Sequence, residues 1–163
     1  MTNNQILRRI RYIFDYNDAK MMAIFASADY PVQLEQLHHW LRKDDDPKYV
    51  NLTDQQLAYF LNGFINEKRG KKDGPAPVAE KKLNNNIILR KLKIALNLTD
   101  VGMIELIELA NLRIGKSELS AFFRKPDHKH FRECKDQFIR NFLAGMQVKY
   151  RDNDPYFKPQ EKA

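Results

Sequence analysis

Sliding the chain along itself by 82 positions aligns residues 3–69 with 85–151 in 67 pairs without a single gap. Eighteen pairs are identities, running from Asn3/Asn85 and Asn4/Asn86 through Asp18/Asp100, Leu37/Leu119 and Gly63/Gly145 to Arg69/Arg151. Swaps such as Trp40/Phe122 and Tyr49/Phe131 keep an aromatic side chain at matching positions. Equal spacing over this length requires equal elements joined by equal loops, so the self-similarity constrains the fold before any local propensity does. The chain reads as one unit written twice: a first helical repeat over residues 1–69, a linker over 70–84, a second helical repeat over 85–151 and a C-terminal tail over 152–163.

Each copy has the periodicity of four helices. In the first copy Thr2 and Gln5 carry the three-residue spacing of a capping box, and Ile6, Ile10, Ile13 and Phe14 form one apolar stripe opposite Arg8, Arg11 and Asp15. Asn17 caps a second helix with Met21, Phe25 and Ala28 inward, and a third carries Leu34, Leu37, Trp40 and Leu41. After the charged loop "RKDDDPKYVNL", Thr53 and Gln56 repeat the capping-box spacing before a helix whose inner face is Leu57, Phe60, Leu61 and Phe64. Glycine inside a helix costs about 1 kcal/mol relative to alanine, so Gly63 and its match Gly145 are expected where a neighbour packs closely. No alternating strand pattern competes. The expected fold is all-α, a tandem duplication of a four-helix, helix-turn-helix-like unit packed about a pseudo-dyad.

The only cysteine is Cys134, which excludes an internal disulfide framework and suits a reducing compartment. No run approaches the roughly 18 apolar residues of a membrane span, and the opening "MTNNQILRRIRYIF" scatters arginines among its apolar residues, so a cytoplasmic protein without a membrane partner is expected. The formal charge is +7, and it is unevenly placed. Residues 1–69 balance nine Lys/Arg against nine Asp/Glu, whereas residues 70–84 hold four against two and residues 85–151 thirteen against seven. An electrostatic partner would therefore meet the linker and the second copy.

The doubled openings "NNQILR" and "NNIILR", with "EKRGKKDGP", "LNNNIILRKLKIALNL" and "ELSAFFRKPDHKHFRECKDQ", resemble the YehS-like family of bacterial proteins, carried as a domain of unknown function (DUF1456). The likeness covers the chain apart from its tail. It implies a small bacterial protein of two related domains and carries no catalytic residue, because the family is tied to no reaction.

Several residue sets invite a chemical reading. Val32, Leu37 and Trp40, and again Ile114, Leu119 and Phe122, keep the relative spacing 0, 5, 8 of a helix-turn-helix, and that spacing is equally the buried face of any short helix after a turn. On the first reading Gln33, Gln36 and His39, and Lys116, Ser117 and Ser120, face a DNA groove, with Arg42, Lys43, Arg124 and Lys125 reaching phosphates. Pro31 and Arg113 stand where the motif's turn glycine falls, and Glu35 and Glu118 place carboxylates on the reading helices. The first-helix clusters Arg8, Arg9, Arg11 and Arg90, Lys91, Lys93, with linker residues Lys71, Lys72, Lys81 and Lys82, are phosphate contacts on one reading and a solvated face on the other.

His128, His130 and Cys134 form an incomplete zinc set whose matches are Asp46, Lys48 and Leu52, so no metal is expected in the repeated structure. "DDDP" at 44–47 lacks the glycine and distal glutamate of a calcium loop. No serine or cysteine sits in a nucleophile motif, and His38 and His39 are matched by Ser120 and Ala121. A non-enzymatic protein without a cofactor is expected. Nucleic acid, duplex DNA first, is the expected partner class, and the alternative is a protein-interaction or structural module; the oligomeric state is open.

Overall fold

The structure is a computed structural model that describes residues 1–153. Eight helices form: α1 (Asn3–Ile13), α2 (Asp18–Ser27), α3 (Leu34–Leu41), α4 (Asp54–Arg69), α5 (Asn85–Ala95), α6 (Asp100–Glu108), α7 (Lys116–Ala121) and α8 (Asp136–Gln147), the last continuing into a π-helical turn, Val148–Asp152. No strand occurs among the described residues. The tail expected over 152–163 lies, from residue 154 on, outside the described residues.

The helix starts follow the capping chemistry. Thr2 and Thr53 each accept from the backbone three residues on, and the glutamine there returns the bond, satisfying two amide donors at each start. Asn17 accepts from the Lys20 amide, and Asn84 and Thr99 do the same at α5 and α6. All four helices of the second copy begin 82 residues after their matches.

The helix ends repeat as well, through residues that sequence periodicity does not mark. Among the described residues, Asp15, Asp29, Asn97 and Asn111 are the non-glycine residues with positive φ, at 52°, 61°, 52° and 60°. Each match is again 82 residues away. After α1 the Asp15 amide donates to Tyr12 and the Tyr16 amide to Arg11; after α5 the Asn97 amide donates to Ile94 and that of Leu98 to Lys93. These are Schellman closures, and Asp and Asn are the non-glycine residues that best tolerate the left-handed conformation they need.

By packing the chain divides into two compact units, Met1–Leu98 and Thr99–Ala163. The boundary falls inside the second copy because α5 packs against α4. Packing units and sequence copies thus divide the chain differently.

In the first unit Leu7, Ile10, Leu37, Trp40, Leu57 and Phe60 are fully buried, and Phe25 stands with its ring centroid 5.5 Å from that of Trp40 and 5.2 Å from that of Phe60. Leu34, placed on the inner stripe by periodicity, is the first residue of α3 and is 46% exposed. At the end of α4 the Lys68 ammonium lies 4.0 Å from the centre of the Phe14 ring, and burial pushes its pKa down. Gly70, with φ at +85°, stops α4. Its match in the second copy is Asp152, and there the helix runs on as the π-helical turn.

Gly63 and Gly145 meet the packing expectation. A methyl group on Gly63 would collide with the backbone carbonyl of Ile24 in α2, and one on Gly145 with that of Leu106 in α6. Glycine at these positions lets α4 lie on α2, and α8 on α6, at backbone contact.

Asn4 is buried and uses its whole amide. It donates to the carbonyls of Trp40 at 3.0 Å and Val50 at 2.9 Å, and accepts from the Leu52 amide at 2.9 Å, joining α1 to the end of α3 and the loop before α4. Its match Asn86 is buried too, in α5. Asn4→Ala would strand three polar backbone groups and should cost roughly 2–3 kcal/mol in urea unfolding. Asn4→Asp should fail to restore the loss, because a carboxylate cannot donate to the two carbonyls.

Candidate nucleic-acid interface

The loops between the third and fourth helix of each copy share one backbone plan. In the first, amides of Asp46, Tyr49 and Val50 donate to the carbonyls of Lys43, Asp46 and His39; in the second, those of His128, Phe131 and Arg132 donate to Lys125, His128 and Ala121. Every donor and acceptor is displaced by 82 residues. On this shared frame the side chains go from balanced charge to net positive. Residues 42–50 set Arg42, Lys43 and Lys48 against Asp44, Asp45 and Asp46, whereas residues 124–132 set Arg124, Lys125, Lys129 and Arg132 against Asp127 alone, with His128 and His130 added.

The loss of acidic side chains changes the chemistry of one arginine in particular. Arg42 pairs with Asp46 at 3.1 Å, and the Lys48 amide bonds the same carboxylate; that amide bond and then the Arg42 contact hold the Asp46 pKa below its usual value. At the matching place Arg124 meets an imidazole, His128 Nε2 at 3.5 Å, while His128 Nδ1 accepts from the His130 amide at 3.0 Å. Among the described residues, the guanidinium therefore has no carboxylate like that of its counterpart. Phe123, Arg124, Lys125, Asp127, His128 and Lys129 line a shallow surface concavity.

Arg124, Lys125, Lys129, Lys116 and Ser117 are exposed, and the Ser120 hydroxyl is turned back onto the Lys116 carbonyl at 2.8 Å. The first-helix clusters are less available. Arg8 donates to the Arg42 carbonyl at 2.8 Å, Arg9 is half-buried, and Arg11 pairs with Asp18 at 2.7 Å. His38 also bonds Asp18, and the His38 and Arg11 bonds together lower the Asp18 pKa. In the second copy Arg90 is exposed and Lys93 half-buried. Lys91 is only 12% exposed, donating to Asn62 at 2.6 Å and lying 2.9 Å from Glu80. Lys43, Lys72, Lys81 and Lys82 are exposed, and Lys71 stands 3.4 Å from Asp29.

The 0, 5, 8 positions Val32, Leu37 and Trp40 are buried, as are Leu119 and Phe122, while Ile114 is half-buried. The turn from α2 to α3 spans residues 28–33 and carries its left-handed residue at Asp29; it is longer than the three or four residues usual in a helix-turn-helix. Gln33 stands at the N-terminal cap of α3 and is exposed; Gln36 and His39 are half-buried.

Cys134 is buried and burial pushes its thiol pKa up to about 12, which suppresses the thiolate that metal binding or nucleophilic attack needs. Among the described residues no three His, Cys, Asp or Glu side chains gather as a metal ligand set, and no helix is long and apolar enough to cross a membrane.

Two stretches of the chain, residues 3–70 and 85–152, match the family described as Protein of unknown function (DUF1456). The chain belongs to this family. The two matched stretches of the DUF1456 chain stand 82 residues apart, the displacement of its helix starts and loop bonds. The chain is similar to the uncharacterized protein YehS of Escherichia coli (strain K12), 42% identical over 147 residues that cover 90% of this chain and 94% of YehS. No solved structure matches the chain.

In the sequence the asparagine doublets are plain identities and the loop pair is a set of residues unsuited to metals. The role of Asn4 emerges only from its bonds to Trp40, Val50 and Leu52, and that of the loop from the backbone bonds the two copies share.

Proposed function

We propose that this DUF1456 protein is a non-enzymatic, cytoplasmic binding protein for the phosphate backbone of nucleic acid, with duplex DNA as the first ligand. The contacts are made by the α7–α8 loop of the second copy, with Arg124, Lys125 and Lys129 as its main cations. The observation that carries this reading is the change of charge on a shared loop frame: the same backbone holds a loop of balanced charge in one copy and a cationic one in the other. Cations without carboxylate partners neutralise phosphates and release counterions, which drives sequence-independent affinity. The exposed Lys81 and Lys82 form a second cationic set in the first unit. The α2–α3 and α6–α7 pairs serve in this account as supports for their loops; α7, at six residues, offers little length to lay in a groove.

A salt series with labelled duplex DNA tests the proposal. Arg124→Ala, Lys125→Ala and Lys129→Ala combined should flatten the slope of log affinity against log salt by about 0.9 for each contact removed. Absence of binding at low salt, or a slope indifferent to the triple substitution, would overturn it.

One observation favours the protein-interaction reading. Tyr12 and Ile94, matched by the repeat, are 48% and 47% exposed, so each copy offers an apolar side chain at the same place on its first helix. A pull-down that recovers one stoichiometric protein, survives nuclease and is lost with Tyr12→Ser and Ile94→Ser combined would favour that alternative.

A further inference from the structure

Residues 70–83 divide into two parts of different character. From Gly70 to Val78 nearly every residue is exposed, and Val78 reaches 88%. At Ala79 the chain turns inward, with only 3% of that residue exposed. The next residue, Glu80, places a carboxylate oxygen 2.9 Å from the Lys91 ammonium of α5, and the same ammonium donates to the Asn62 side-chain oxygen of α4 at 2.6 Å. Three residues further, the Leu83 amide donates at 2.9 Å to Asp54 at the start of α4, and the other oxygen of Asp54 accepts from Asn3 at 2.8 Å. Lys81 and Lys82 lie between these two attachments and are exposed.

Burying an ammonium is costly unless it is paired and hydrogen-bonded. Lys91 meets both needs with one partner on α4 and one on the strap, so either partner's loss leaves a buried charge half satisfied. In the first copy the residue matching Lys91 is Arg9, and in the second copy the residue matching Asn62 is Ala144. The arrangement belongs to the join between the copies and not to the repeated unit.

We infer that Lys91, Glu80 and Asn62 form a latch that fixes residues 79–83 as a strap on α4 and α5, and that Lys91 thereby positions Lys81 and Lys82 for phosphate instead of contacting phosphate itself. The binding half of this inference rests on the proposed function; the latch does not. A strap held in place spends no further backbone entropy when its two lysines engage a ligand, whereas a loose one must be ordered first. Position and contact then separate in a salt series. The slope counts the cations that touch phosphate, and the affinity at one salt concentration also records how well they are held.

The test uses the full chain with Glu80→Gln, which keeps the shape of the side chain, and Lys91→Met as a second variant. Hydrogen exchange at the Leu83 amide, which donates to Asp54, should quicken about tenfold or more in both variants relative to wild type. Unchanged protection in the folded Glu80→Gln variant would overturn the latch, whatever nucleic acid does. On duplex DNA, Glu80→Gln should weaken binding about tenfold with the slope unchanged, although it removes a negative charge and simple electrostatics would strengthen binding. Lys81→Ala with Lys82→Ala should flatten the slope by about 0.9 per contact. Faster exchange together with tighter binding in Glu80→Gln would overturn the positioning role. Faster exchange in a chain whose wild type binds no nucleic acid would leave the latch standing, overturn its positioning role and refute the proposed function.

Discussion

Trp40→Ala should destabilise the first unit by about 3–5 kcal/mol, the usual loss for a large aromatic truncated in a closed core. Trp40 is 1% exposed, stands against Phe25, and its carbonyl is held by Asn4, so neither the side chain nor the backbone around it can readily close the space left behind. For a chain of this size the loss corresponds to a fall in Tm of roughly 6–20 °C. Trp40→Phe should retain most of the stability, because the second copy builds the same position with Phe122. Far-UV circular dichroism is the measurement to use, since the substitution removes the only tryptophan.

Gly63→Ala is the second large effect and acts by the opposite route. The added methyl meets the Ile24 carbonyl, whose carbon would lie 2.8 Å away, and backbone cannot rotate aside as a side chain can. The helix α4 must separate from α2, and the gain in helix propensity of about 1 kcal/mol is smaller than the overpacking it causes. A net loss of about 3 kcal/mol is expected. Gly145→Ala should behave alike in the second unit, where Leu106 stands in place of Ile24. Thermal unfolding that shows either variant as stable as wild type would contradict the close helix contact.

Most of the helical plan was legible because it rests on local chemistry. Thr2, Asn17 and Thr53 declare helix starts through side chains that reach only three residues ahead, and the gapless repeat transfers those starts to the second copy. Helix ends were harder. Asp15 and Asp29 close their helices in the left-handed conformation, which aspartate tolerates better than most residues but does not require, so its presence alone does not mark the end. Leu34 shows how far periodicity reaches: spacing places it on the inner stripe, yet it is 46% exposed.

The candidate site was legible in its composition and not in its geometry. Charge bookkeeping pointed to the linker and second copy, and Arg124 and Lys125 are exposed there. The same bookkeeping grouped Lys91 with Arg90 and Lys93, although Lys91 is held between Asn62 and Glu80. Those partners lie on different elements, so no pattern along α5 could reveal them. The value of the His128 loop was likewise hidden until its backbone bonds could be laid beside those of the Asp46 loop.

One loop frame carries balanced charge in the first copy and net positive charge in the second, and on the proposed function the side chains alone make the second bind phosphate. The most direct measurement is the salt dependence of duplex DNA affinity after giving the second loop the side chains of the first, with Pro126→Asp, His128→Asp, Lys129→Pro and His130→Lys combined. The shared backbone plan should let the loop keep its fold, while carboxylates return beside Arg124. The account requires weaker binding and a flatter salt slope with thermal stability close to wild type. Wild-type affinity and slope in the exchanged chain would contradict it.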